Sequence, residues 1–195
     1  TGVQTCALPI LEKLTLDYNQ LKGLVAKICR EISTDGWRPD WIVGVSRGGL
    51  FPAVMISHYF DVKMQPLKVS LRDYEDCESN LWLAEEAFGY VDKKDRKEVA
   101  EYSDPTIRKN ILIVDDINDS GATINWIKED WESSCMGTVA PKIWEEIWGT
   151  NVRFACLVEN TATKSLIKTS YVGMEINKAE KDVWVEFPYE DWWQQ

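Results

Sequence analysis

Apolar residues recur along this chain with two different spacings, and the changes of spacing divide it into helices and strands. From about Ile10 to Ser33, the positions Leu14, Tyr18, Leu21, Val25, Ile28 and Ile32 alternate steps of four and three. That rhythm predicts one amphipathic helix, ended by Asp35-Gly36 and Pro39. Trp41 to Val45 predicts a short apolar strand, followed by the tight loop Ser46-Arg47-Gly48-Gly49. A helix over Leu50 to Phe60 comes next, with Pro52 tolerated in its first turn. Val62 to Leu71 predicts a strand interrupted near Pro66. The cleanest strand is Asn110 to Asp115, where Ile111, Leu112, Ile113 and Val114 form the continuous apolar run of a strand buried on both faces. A helix from Ala122 to about Ser133 comes after its loop, and further strands are expected at Arg153 to Glu159, Tyr171 to Ile176 and Val183 to Phe187.

Strands alternating with helices imply an α/β fold, a mostly parallel central sheet flanked by helices. Two stretches break the pattern. Between residues 72 and 109 regular alternation is lost and charges crowd Val91-Asp92-Lys93-Lys94-Asp95-Arg96-Lys97-Glu98, which reads as a flexible flap or irregular hairpin. Residues 135–150, with Trp144, Ile147 and Trp148, read as an inserted connection. Tyr189, Trp192 and Trp193 crowd the tail, where dense aromatics pack back onto the body or onto a neighbouring subunit. Thr1 to Ile10 lacks the periodicity of the next segment and reads as a non-native or disordered leader, leaving residues 11–195 as a single domain.

Composition narrows the chemistry. An apolar share of 45% and a charged share of 28% are those of a soluble globular protein, and no apolar run approaches a membrane span. Five cysteines show no paired spacing, and with His58 the only histidine there is no metal-site spacing either. Buried thiols in a reducing compartment are the expectation, which places the protein in the cytoplasm. A net charge of −10 disfavours nucleic acid as a partner. It leaves an anionic small molecule open, because local backbone amides hold phosphate whatever the global charge.

The segment Ile111 to Thr123 places two carboxylates at the exit of a buried strand, then a Ser-Gly turn at a helix start. In open parallel sheets ligands bind at that edge. Asp115 and Asp116 can accept hydrogen bonds from adjacent ribose hydroxyls, and either can help hold Mg²⁺. The amides of Ser120, Gly121, Ala122 and Thr123, with the hydroxyls of Ser120 and Thr123, can wrap a terminal phosphate at the positive end of the next helix. A helix cap plus a surface acid is the plain alternative. The earlier loop Ser46-Arg47-Gly48-Gly49 also comes after a strand and opens a helix, so Arg47 and its flanking amides can grip pyrophosphate; otherwise it is only a turn.

The run from Asp115 to Thr123 resembles the phosphoribosyl pyrophosphate motif of type I phosphoribosyltransferases. The Ser46-Arg47-Gly48-Gly49 loop is similar to the pyrophosphate loop of their xanthine-guanine branch. Val183-Trp184-Val185-Glu186-Phe187-Pro188-Tyr189 resembles that branch's run over the base pocket. The three motifs spread from about residue 40 onward. The resemblance implies the fold of that family, with a small hood built partly from residues 177–195. It implies transfer of phosphoribosyl from phosphoribosyl pyrophosphate to guanine, xanthine or hypoxanthine with Mg²⁺, in a homo-oligomer, dimer or tetramer. By resemblance Asp115 and Asp116 contact ribose and Asp116 the metal, and Asp119 to Thr123 hold the 5-phosphate. Ser46, Arg47 and Gly48 hold pyrophosphate. Asp119 exchanges a proton with a ring nitrogen of the base, or else caps the next helix. Trp184 stacks on the purine while the backbone of Val185 reads its edge, unless Trp184 is a plain core tryptophan.

One position departs from that pattern. Purine members place a lysine after the next strand, against the base oxygen, and here Asn160 stands there, with Lys164 four residues on. An amide still donates to a carbonyl, but without charge. The rival to an enzyme is a non-catalytic relative that binds phosphoribosyl pyrophosphate or a nucleotide as a signal; Asp119, Arg47 and Trp184 favour the enzyme.

Overall fold

The computed structural model describes residues 12–69, 71, 77–78, 81–91, 103–136 and 141–194. In chain order its elements begin with β1 (Glu12–Thr15), α1 (Tyr18–Asp35), β2 (Trp41–Ser46), α2 (Leu50–Phe60), β3 (Met64–Lys68) and α3 (Leu81–Phe88). They continue with β4 (Ile111–Asn118), α4 (Ala122–Met136), α5 (Pro141–Ile147), β5 (Val152–Asn160), β6 (Tyr171–Ile176) and β7 (Val183–Glu186). Five strands form an all-parallel sheet in the order β3-β2-β4-β5-β6.

Central β4 is buried on both faces, which is why Ile111 to Val114 can be apolar without a break. Successive side chains point to opposite faces, so the strands feed two cores. Ile42, Leu112, Val114, Ala155 and Leu157 face α1 and α2, packing with Leu21, Ile28, Ile32 and Ile56. Val43, Ile111, Ile113, Phe154 and Cys156 face the other way, with Phe88, Ile127, Trp131 and Trp144. Each fully buried large apolar side chain contributes roughly 1.5–3 kcal/mol.

The first helix starts later than periodicity predicts. Residues 12–15 are a strand, and helix α1 begins only at Tyr18. Asp17 and Gln20 form a capping box: Asp17 Oδ1 accepts from the Gln20 N–H at 2.7 Å, and Gln20 Oε1 accepts from the Asp17 N–H at 2.8 Å. Leu14 therefore lies in β1, and Tyr18, placed on the apolar face by its spacing, is exposed. The cause is distant in sequence: β1 pairs in parallel with β7, Leu14 opposite Val185. The hood expected from the C-terminal segment thus gains its partner strand from the beginning of the domain.

Three further expectations shift. Strand β3 ends at Lys68, and Pro66 sits where proline belongs in a sheet, on an edge strand. Within 72–109, expected to lack regular structure, Leu81–Phe88 is a helix with Leu83, Ala84, Ala87 and Phe88 fully buried. The charged run at residues 92–98, on which the flap reading rested, lies outside the described residues. Within 135–150, helix α5 buries Trp144 and Ile147, and Trp144 meets Phe88 edge-on at 5.4 Å. Helix α5 thus contributes Trp144 and Ile147 to the core. A helix this short leaves too few turns for its period to be read from sequence. The tail packs back as expected, Tyr189 stacking on Phe51 at 5.2 Å, although Trp192 and Trp193 are exposed.

Candidate active site

A parallel sheet delivers the ends of its strands to one edge, and here β2 and β4 deliver their two loops into contact. A Cβ on Gly49 would lie 2.3 Å from the Val114 carbonyl oxygen and 2.8 Å from that of Val45, so the loop rests directly on the backbone of β4. A Cβ on Gly48 would lie 1.7 Å from Asp116 Oδ2. The glycines are needed because the second loop occupies the space a side chain would take. Arg47 is exposed at the head of this loop, and the Ser46–Arg47 peptide is cis.

The two carboxylates differ in setting. Asp115 is buried, its Oδ1 accepting from the Asp116 N–H at 3.0 Å. Asp116 is half-buried; its Oδ1 accepts from the Ile117 N–H at 2.8 Å and its Oδ2 from the Tyr189 hydroxyl at 3.2 Å. Burial pushes the Asp115 carboxyl well above the usual carboxylate range, and the Asp116 charge beside it adds to the effect. Burial raises Asp116 too, against the opposing pull of the Ile117 N–H and the Tyr189 hydroxyl. Burial also drives the Tyr189 phenol upward, with the Asp116 charge adding to it, so Tyr189 remains a proton-bearing donor. Two crowded acids short of solvent favour a ligand that brings hydrogen-bond donors or a cation.

Beyond them the chain turns through Asp119, Ser120 and Gly121 into α4. Gly121 has φ +81°, and a Cβ there would lie 2.6 Å from the Ser165 Cα, so the segment after β5 braces the turn from behind. Asn125 ties the two together, accepting from the Leu166 N–H at 2.7 Å. Ser120 and Ala122 are exposed at the start of α4 and Thr123 is half-buried, an arrangement that leaves the turn open to an anion. Ser120 Oγ accepts from the Ala122 N–H at 3.3 Å, at the first residue of α4. Asp119 instead turns sideways, its Oδ2 2.8 Å from Lys178 Nζ and its Oδ1 3.1 Å from Asn160 Nδ2.

Asn160, buried at the end of β5, is directed to Asp119 and to backbone N–H groups. Beneath the turn, Glu159 accepts from Asn118 Nδ2 at 3.1 Å and from Thr169 Oγ1 at 2.7 Å, holding the exit of β4 to that of β5. On β7, Val185 is buried and Trp184 is 41% exposed, so Trp184 is not a plain core residue. The structure thus joins Ser46 to Gly49 with Asp115, Asp116 and Tyr189, and it joins Asp119 with Asn160 and Lys178. Trp184 and Val185 lie on the strand between Lys178 and Tyr189. Sequence reasoning gave no role to Lys178 or Tyr189. Tyr189 stood inside a motif already singled out; nothing local marks Lys178.

Among the described residues no cluster of three or more His, Cys, Asp or Glu side chains could cage a metal. Asp115 and Asp116 fit a different use. Mg²⁺ commonly takes one or two carboxylates and completes its shell with water and substrate phosphates.

The sequence profile of the phosphoribosyl transferase domain matches residues 16–191. Xanthine phosphoribosyltransferase 1 of Saccharomyces cerevisiae is 27% identical over 129 residues, which cover 62% of this chain and 61% of the yeast protein's length. Xanthine-guanine phosphoribosyltransferase of a Ruegeria species is 25% identical over 164 residues, 80% of this chain and 74% of that one. In three dimensions the purine phosphoribosyltransferase of Pyrococcus horikoshii superposes with a TM-score of 0.59 at 21% identity, covering 93% of this chain and 96% of its own. The profile runs from the turn into α1 to the residues just beyond Tyr189 and takes in both loops, so this chain belongs to the phosphoribosyl transferase domain family.

Proposed function

We propose that this chain transfers the phosphoribosyl group of phosphoribosyl pyrophosphate to guanine, xanthine or hypoxanthine. The products are a nucleoside 5′-monophosphate and pyrophosphate, a purine salvage reaction. The observation that carries the reading is the contact of Gly48 with Asp116. That contact brings the loop read as the pyrophosphate grip against the loop read as the ribose-and-phosphate grip, which supports one ligand reaching both. The names of the yeast and Ruegeria relatives support an oxopurine as acceptor.

Each residue then has a task. Asp115 and Asp116 accept from the ribose hydroxyls, and their raised affinity for protons suits them to partners that donate. Asp116, the more open of the two, is the side that would meet Mg²⁺ carried in by the phosphates, and the ion supplies charge neutralisation on the leaving pyrophosphate. Ser46, Arg47 and Gly48 hold the pyrophosphate, Arg47 through its guanidinium. Ser120, Gly121, Ala122 and Thr123 hold the 5-phosphate with backbone amides at the start of α4. As the anomeric C–N bond forms and the C–O bond to pyrophosphate breaks, positive charge on the sugar lies near the two carboxylates. Asp119 takes the proton from the base's ring nitrogen, and Trp184 stacks on its face while the Val185 backbone reads its edge. Holding both reactants in register adds to the acceleration.

A homo-oligomer, dimer or tetramer, and a cytoplasmic setting belong to the same reading. Phe51, Val54 and Tyr59, exposed along α2, support the first. Among the described residues no helix is long and apolar enough to cross a membrane. The test is pyrophosphate release from phosphoribosyl pyrophosphate and Mg²⁺ with a panel of bases. Saturable binding of the phosphosugar without turnover of any base would leave a sensor in place of the enzyme.

A further inference from the structure

The base side of the site holds an ion pair that the phosphate loops do not require. Lys178 Nζ lies 2.8 Å from Asp119 Oδ2. The lysine side chain is only 17% exposed, whereas the carboxylate is 49% exposed and so remains open to a ligand. Asn160 organises the pair. Its Nδ2 donates to the Asp119 carbonyl oxygen at 2.9 Å and to Asp119 Oδ1 at 3.1 Å. Its Oδ1 accepts from the Ala162 N–H at 3.2 Å and from the Lys178 N–H at 3.1 Å. A carboxamide has two donor hydrogens and an acceptor oxygen with two lone pairs. Asn160 uses all four inside the protein and keeps nothing for a base. It is a spacer that fixes Asp119 from one side and the backbone of Lys178 from the other.

The positive charge beside Asp119 therefore comes from Lys178, on the connection from β6 to β7. An ammonium carries three hydrogens. Among the described residues, the one side-chain hydrogen bond of Lys178 is to Asp119. A carboxylate that accepts and an ammonium that donates, side by side, form a two-point reader. They match an edge on which an N–H stands next to a carbonyl oxygen. A 6-oxopurine presents O6 next to N7, and N7 carries a proton in the tautomer whose N9 is free to react. Adenine puts an exocyclic amine in place of O6, so two donors would face each other.

We propose that Lys178, positioned by Asn160, is the residue that selects an oxygen-bearing purine over an amino-bearing one. The inference rests on the base-transfer reading above. Steady-state kinetics of the wild type, Lys178→Met and Lys178→Arg with xanthine, guanine, hypoxanthine and adenine test it. Methionine preserves the apolar stem, and an unchanged melting profile verifies the fold. Lys178→Met should lower kcat/KM for the oxopurines at least 30-fold, mostly through KM. The KM for phosphoribosyl pyrophosphate should stay within threefold, and the preference over adenine should collapse. Arginine should restore most of that preference. A wild-type base preference in Lys178→Met, or a parallel loss of base and phosphosugar binding, would overturn the proposal. Should the wild type turn over no base, calorimetric affinities for guanosine and adenosine 5′-monophosphate separate the two readings. A preference for the guanine nucleotide that Lys178→Met erases upholds the role of Lys178 and removes only the transferase. Equal affinities in the wild type, or an undiminished preference in the variant, overturn it.

Discussion

Replacing Gly48 with alanine puts a methyl group where Asp116 now lies. The new Cβ would stand 1.7 Å from Asp116 Oδ2 and 2.2 Å from its Cγ. Ordinary contact begins near 3.4 Å, so the carboxylate must retreat by about 1.7 Å. That retreat strains its hydrogen bonds from the Ile117 N–H and the Tyr189 hydroxyl, at a cost of roughly 1–2 kcal/mol in stability. The catalytic loss should be larger. A misplacement near 1 Å costs on the order of 100-fold, so kcat/KM for phosphoribosyl pyrophosphate should fall about 100-fold, equivalent to ~2.7 kcal/mol of transition-state stabilisation. Nucleotide formation followed at varied phosphosugar concentration measures the first quantity, and denaturant melts measure the second. Gly49→Ala is the control of opposite character. Its Cβ meets backbone oxygens of Val114 and Val45, which no rotamer change can move, so it should cost stability first, about 3 kcal/mol or more. A Gly48→Ala enzyme within threefold of the wild type in kcat/KM would refute the contact between the loops.

Other outcomes rest on the same geometry. Trp144→Ala removes a fully buried indole from the core built around Phe88 and should destabilise by about 3–5 kcal/mol in urea melts; a loss below 1 kcal/mol would mean that α5 does not belong to the core. The folded-state affinity of Asp115 for its proton is raised above the ordinary value of 3.8, so its ionised form burdens the ligand-free fold at neutral pH. That burden is full above the raised folded value and vanishes as pH falls to the unfolded value. Asp115→Asn should therefore be more stable than the wild type at neutral pH, with the gap closing toward pH 4, and a pH-independent gap between the two urea curves would contradict the assignment. Trp184→Ala should weaken base binding by about 1–3 kcal/mol while sparing the phosphosugar; an unchanged KM for the base removes Trp184 from the pocket. Asp119→Asn retaining full activity with its best purine would rule out proton transfer through that carboxylate.

Much of this was written in the local sequence. The continuous apolar run of Ile111 to Val114 determined a strand buried on both faces, because only the centre of a parallel sheet can cover both sides of it. The acids and the Ser-Gly turn after it marked a sheet edge suited to an anionic ligand, because strand exits and helix starts expose donors and acceptors whatever lies elsewhere. The tertiary structure decided what depends on residues far apart. Residues 12–15 join a strand some 170 positions away, and local periodicity carries no trace of that partner. The helices α3 and α5 are too short for their period to stand out, and burial in the core they share with α4 and the sheet fixes them. Asn160 shows the same division. Its sequence position proposes a contact to a base, but its hydrogen bonds are decided by Asp119 and Lys178, which the fold brings to it. A side chain's capacity to bond is a property of the residue, and the choice of partner belongs to the neighbours that arrive first.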